Sequence, residues 1–186
     1  MESIELIAQI IGIAAMAFNI LSYQQKTRSG AIAFQLVGAS LFAINFLLLD
    51  AVVGGLLNVI GAIRSIVFLN KEKLRADHPA WFIGFTAAYL ASYILTFTLF
   101  AKEPTAVNLI VEFLPVIGMV ALTISYRQSD AKAIRRFGLI SSPSWLIYNI
   151  ANLSIGAICC EVLSLGSIII GILRLDRSQK LQNNKS

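Results

Sequence analysis

Two carboxyl groups occupy positions where a carboxyl is costly. Glu112 and Glu161 each lie about six residues inside a long apolar stretch of the chain. An ionisable side chain near the middle of a membrane helix costs on the order of 2.5–3.5 kcal/mol on insertion scales, so such groups turn toward the protein interior and mark proton relays or solute paths. Asn58 lies about seven residues inside a third stretch. With a rise of about 1.5 Å per residue, all three sit roughly 10 Å below the same end of their helices. Phe42 and Trp145 belong to stretches that run the opposite way, and both are about eight residues from that same end. Helices that bring these groups together build a polar pocket with aromatic walls. In it, Asn58 and Asn149 would hydrogen-bond a small polar solute and Trp145 and Phe42 would stack on it. Glu112 or Glu161 would bind a proton. The competing reading gives the same residues a structural task, as hydrogen bonds that hold helices to one another.

The elements that must position these residues are membrane helices. Only 13% of the 186 residues are charged, 57% are hydrophobic, and the mean hydropathy is +0.76. An ordinary soluble domain carries about 25% charged residues. The chain therefore lacks the polar surface of a soluble enzyme, a disordered chain or a disulfide-stapled secreted domain. Seven stretches reach the roughly 17–25 residues that a bilayer requires: 4–23, 31–49, 51–69, 80–100, 106–125, 137–153 and 155–173. The first begins with Glu2 and Glu5 and is too long to read as a cleavable signal. The expected fold is all-α, a seven-helix transmembrane bundle.

Of the 15 Lys and Arg residues, 13 fall in the first, third and fifth connections and the C-terminal tail; Lys102 alone lies on the other side, and Arg64 lies within a span. An excess of Lys and Arg marks the cytoplasmic side, which puts the N-terminus outside and the C-terminus in the cytoplasm. The lipid bilayer is then the main partner, and the basic residues act as topology signals and anionic-lipid contacts. No basic stripe or aromatic platform points to nucleic acid. Arg64 is expected to snorkel toward the headgroups or to pair with a carboxylate. Asp50 is expected at a solvated turn, and Trp81 and Tyr89 at the lipid interface.

The chain also repeats itself. Ile20-Leu21-Ser22-Tyr23-Gln24-Gln25 returns as Thr123-Ile124-Ser125-Tyr126-Arg127-Gln128, at an offset of 103 residues. At that offset Phe34 meets Phe137, Phe42 meets Trp145, Gln9 meets Glu112 and Asn58 meets Glu161. The division is a first three-helix repeat (1–70), a linker with the fourth span (71–105), a second three-helix repeat (106–174) and a polar cytoplasmic tail (175–186). A single linker span returns the second repeat to the direction of the first. The result is two parallel repeats in a 3+1+3 order, an arrangement that transporters use. Pro115 and Pro143 have no counterpart in the first repeat, so any motion based on a proline kink is asymmetric. Gly54, Gly55, Gly61, Gly166 and Gly171 are expected to let helices approach closely. Cys159 and Cys160 are neighbours in an apolar stretch and read as small apolar residues. Metal-ligand spacing, a phosphate loop and a catalytic triad are all missing, and His78, the one histidine, belongs to a loop far in depth from both carboxyls. No cofactor, no metal and no enzymatic activity are expected.

The segment Glu112-Phe113-Leu114-Pro115-Val116-Ile117-Gly118 resembles one found in the YgjV family of bacterial inner membrane proteins. Trp145-Leu146-Ile147-Tyr148-Asn149, Ser154-Ile155-Gly156 and Glu161 are similar to that family's Trp–Asn–Gly–Glu series. Leu57-Asn58 and Ala62-Ile63-Arg64 resemble two more of its elements. The resemblance covers nearly the whole membrane part, implies a bacterial inner (plasma) membrane, and brings no activity with it. A more distant likeness is to the SWEET and PQ-loop transporters, through Lys26-Thr27-Arg28-Ser29. That likeness implies an Asn in the third and seventh spans and a Trp in the sixth, places near which Asn58, Glu161 and Trp145 fall. Asn19 and Ile20, and Leu122 and Thr123, occupy the Pro-Gln positions, so the hinge motif is absent, and Glu161 stands where the second Asn would. The leading expectation is a carrier of a small polar solute, proton-coupled through Glu112 or Glu161. The alternative is a non-transporting membrane scaffold or assembly partner. An oligomer is compatible with either.

Overall fold

The computed structural model describes residues 2–49, 52–99, 101–151 and 155–176. Asp50 and nearly all of the tail lie outside the described residues. Seven α-helices follow one another: α1 (Glu2–Ser22), α2 (Arg28–Leu48), α3 (Val52–Leu69), α4 (Pro79–Thr98), α5 (Ala106–Arg127), α6 (Ala131–Ala151) and α7 (Ile155–Gly171), which runs on into a π-helical turn at Ile172–Asp176. No strand occurs among the described residues.

Short polar signals start these helices. Thr27 Oγ accepts the backbone N–H of Gly30 at 3.1 Å, Thr105 Oγ that of Asn108 at 3.2 Å, and Asp130 Oδ1 that of Ala133 at 2.9 Å. Each satisfies a donor that a helix leaves unpaired in its first turn. Pro79 opens α4, where its missing N–H costs nothing. The outward faces are apolar: Ile4, Leu6, Ile7, Ile10 and Ile13 on α1 are all more than half exposed. In water that surface would be a large unfavourable patch; in lipid it is solvated. Five helices are long and apolar enough to cross a membrane: α1, α2, α4, α5 and the stretch from Gly156 to Asp176. The apolar part described for α3, Gly54–Leu69, is shorter. Helix α6 begins at Ala131, ahead of the expected start at residue 137, and so takes in Lys132, Arg135 and Arg136.

In the packing, α2 lies between α1 and α3, and α6 between α5 and α7. The two sets meet through α1 against α7, α3 against α5 and α2 against α6. Helix α4 leans on α3 and α5. An aromatic cluster locks it there: Phe68 of α3 packs on Phe85 of α4 at 6.3 Å and edge-on to Tyr126 of α5 at 5.9 Å. Tyr89, expected at the lipid interface, is instead fully buried beside Phe85.

The end of the bundle that carries the first, third and fifth connections, here called the basic end, is bound together by two arginines. Arg28 at the start of α2 donates from Nε to Tyr126 O at 3.0 Å and from Nη2 to Phe68 O at 3.0 Å. It thus caps the last carbonyls of α5 and α3, which have no partner within their own helices. Arg135 of α6 donates from Nη1 to Gln25 O at 2.9 Å and Tyr23 O at 3.3 Å, beyond the end of α1. It also pairs with Asp176 after α7. Arg135 is 2% exposed, so it is an internal clamp rather than a lipid contact. A glycine makes room for it: a Cβ on Gly171 would lie 2.7 Å from Tyr23 O and 2.8 Å from Arg135 Cδ. Gly166, also expected at a close approach, has nothing within 4 Å.

Candidate functional site

A cavity of about 290 Å³ lies between the two three-helix sets. Helix α2 contributes Phe42 and Phe46, four residues apart and therefore on one face, with ring centroids 6.1 Å apart. Helix α3 contributes Asn58, whose Nδ2 donates to Gly54 O at 2.8 Å. Its amide oxygen and its second N–H are the groups it can offer a solute. Helix α6 presents Ser142, Trp145 and Asn149, spaced three and four apart along one face. Trp145 sits edge-on to Tyr148 at 5.7 Å. Its place depends on Gly118 of α5, where a Cβ would lie 3.1 Å from Trp145 Cδ1 and 3.1 Å from Ser141 Oγ. Helix α7 contributes Glu161, whose carboxylate accepts a hydrogen bond from Ser142.

The floor of the cavity faces the basic end. Tyr23, Gln35 and Arg64 line it and are almost fully buried. Tyr126 donates its hydroxyl to Gln35 Oε1, and Gln35 Nε2 donates in turn to Ser22 Oγ at 3.2 Å. Closer to that end, Gln24 Nε2 donates to Ser167 O at 2.6 Å, and Ser167 Oγ to Ile20 O at 2.7 Å. Because buried polar groups need partners, these two short hydrogen-bond chains tie α1, α2, α5 and α7 together at the cavity floor.

Of the six candidate residues, Asn58, Glu161, Trp145, Phe42 and Asn149 share the cavity wall. Glu112 does not join them. It is buried on α5, and its carboxylate pairs with Lys102. Sequence reasoning left Ser142, Tyr23 and Gln35 out of the site and expected Arg64 elsewhere, yet all four line the cavity. A signal existed for two of them. Tyr23 lies in the duplicated Ser-Tyr segment, and Ser142 falls at the offset of 103 from Ala39, which also lines the cavity. The same offset links other lining residues: Asn19 with Leu122, Phe42 with Trp145, Leu57 with Cys160, and Asn58 with Glu161.

Arg64 neither snorkels nor pairs with a carboxylate. It is 4% exposed. Its Nη1 donates to Met119 O at 3.1 Å and to Tyr89 Oη at 3.4 Å, and its guanidinium lies 4.7 Å from the centre of the Tyr126 ring. Its Nε has no acceptor. No group of three or more His, Cys, Asp or Glu suited to a metal ion occurs among the described residues.

A family profile described as a bacterial inner membrane protein, Imp-YgjV, matches residues 6–179. Comparison with curated proteins and with solved structures finds no match. The profile and the apolar helices together make this chain an integral membrane protein.

Proposed function

This chain belongs to the Imp-YgjV family of bacterial inner membrane proteins, and from that premise and its polar cavity we infer that it carries a small polar solute across the membrane. The observation that supports this most is the origin of the wall. Asn58 and Phe42 come from the first set of helices, Glu161 and Trp145 from the second, and each pair is matched at one sequence offset. The contact of α1 with α7 has its counterpart in that of α5 with α3. Both facts fit two parallel repeats, residues 1–70 and 106–174, joined by a linker helix around a shared site. A site between two halves can be exposed to either side by rocking one half on the other.

In this reading Asn58 and Asn149 bond the solute, Trp145 and Phe42 stack on it, and Glu161 takes the coupling proton. Glu112, held by Lys102 away from the wall, acts as a structural group. The basic end is cytoplasmic by the excess of Lys and Arg there, and Asn58, Trp145 and Glu161 then belong to the outer half of the bundle. A non-transporting scaffold would need only a closed bundle, so a cavity lined by polar groups counts against it. Flux in proteoliposomes is the test, with a panel of labelled polar solutes and an imposed pH gradient. Glu161→Gln is expected to remove the response to the gradient, and Asn58→Ala to lower solute flux about tenfold. Flux unchanged in both variants would sink the site assignment.

A further inference from the structure

We propose that Arg64 is the anion subsite of the cavity, so that the solute bears a carboxylate. The inference rests on the carrier reading for the word solute, but the binding site it describes does not depend on movement.

Arg28 and Arg135 show what a structural arginine looks like here. Arg28 uses Nε and Nη2 on helix-end carbonyls, and Arg135 uses Nε, Nη1 and Nη2 on two carbonyls and Asp176. Arg64 is different. It lines the cavity floor, is 4% exposed, and donates through Nη1 to Met119 O and Tyr89 Oη, while Nε is buried with no acceptor. A buried charge is normally paired or fully hydrogen-bonded, because desolvation is otherwise uncompensated. Among the described residues no carboxylate pairs with it. Glu161, the one acidic side chain in the cavity wall, is bonded instead to Ser142.

The guanidinium is also held ready. Met119 O and Tyr89 Oη fix one nitrogen, and Tyr126 supports the flat face. A fixed, planar fork whose Nε–H has no acceptor matches the oxygens of a carboxylate, which arginine recognises in bidentate fashion. Lysine, a point charge without that fork, would not replace it. The cavity, about 290 Å³, is just below the range of roughly 300–1,000 Å³ for sites that hold drug-sized ligands, which fits a compact acid. The remainder of such a solute would meet Asn58, Trp145 and Glu161. A hydroxyl suits Asn58. An ammonium suits Glu161 and the face of Trp145.

The test uses the full chain in lipid nanodiscs and measures binding of lactate, L-alanine and L-glutamine, with lactamide as an uncharged control. Binding of at least one carboxylate, with lactamide at least tenfold weaker, is expected. Arg64→Lys, which keeps the charge and loses the fork, is expected to weaken the carboxylate at least tenfold while thermal unfolding shows an intact fold. Preference for L-alanine over lactate that Glu161→Gln erases would make the solute a zwitterion; equal binding of both would make it a simple acid. Lactamide binding as well as lactate, no carboxylate binding to the unaltered protein, or unchanged affinity in Arg64→Lys would each overturn the proposal. The carrier reading fails separately, if a carboxylate binds but no flux follows. It survives alone if an uncharged solute is moved through a site that Glu161→Gln disables.

Discussion

Glu112 and Glu161 have the same side chain at similar depth, and different neighbours give them different work. Glu112 faces an ammonium, Lys102, whose side chain is 31% exposed while its own is 5% exposed. Glu161 faces a hydroxyl, which can bond a carboxylate but brings no charge to balance it. The first carboxylate has its counter-ion built in, and in the carrier reading the second finds one in a solute or a proton. Removing the ammonium should therefore be felt as stability rather than as function. Lys102→Met leaves Glu112 buried without a cation, and a loss on the order of 1–3 kcal/mol is expected, less than for a fully buried pair because Lys102 is partly solvated. Thermal unfolding in detergent reads the loss, and solute affinity should stay within about twofold. A collapse of binding at unchanged stability would put Glu112 back in the site. Depth along the helix was legible in the sequence for both residues, since it needs only a count and a rise per residue. The direction in which each faces was not. On α5 Glu112 shares the buried face of Pro115, Met119 and Thr123, but it lies two turns, about 10 Å, above Met119, and its carboxylate turns to Lys102 while Met119 lines the cavity.

At the scale of elements, the glycines of α7 separate contact from composition. Gly171 meets Tyr23 O and Arg135 Cδ at distances no Cβ tolerates, and Gly166 meets nothing within 4 Å. Gly171→Ala is expected to destabilise the bundle by about 1–3 kcal/mol through overpacking. Gly166→Ala is expected to be neutral or to stabilise by about 0.5–1 kcal/mol, because alanine is the better helix former. Melting temperatures of the two variants compare them directly, and equal losses would contradict the packing described for α7. The existence and order of seven helices were readable from runs of apolar residues. The start of α6 was not, because a hydropathy pattern treats Lys132, Arg135 and Arg136 as solvated residues outside the membrane. Asp130 caps the helix there and Arg135 is drawn inside by the carbonyls beyond α1. Arg64 was misjudged for a related reason: a long cationic side chain six residues from a helix end can reach the headgroups, but Tyr126 and Met119 hold it in the interior.

For the whole molecule, a floor of buried, hydrogen-bonded side chains below Asn58, Trp145 and Glu161 predicts one-sided access. In a background of Cys159→Ser and Cys160→Ala, Asn58→Cys should react with a membrane-impermeant maleimide added to intact cells whose outer membrane is permeable. Gln35→Cys, near the floor, should resist it. Reaction of Asn58→Cys only in inside-out vesicles would reverse either the orientation or the accessible side. The offset of 103 residues is weak as sequence identity, since apolar helices match one another easily. It gains weight when Asn58 with Glu161 and Phe42 with Trp145 are found around one space.

The two arginine clamps carry a consequence for how such a molecule could be divided. Arg28 belongs to the first half and grips Tyr126 of the second; Arg135 belongs to the second and grips Tyr23 and Gln25 of the first. Each half supplies one bolt and one socket, so neither can shut the basic end by itself. A fragment of residues 1–70 alone would hold Arg28 with its own Phe68 carbonyl satisfied and its other acceptor missing. Tyr23, the residue that matches Tyr126, is the socket such a fragment still owns, with its Arg135 bolt gone.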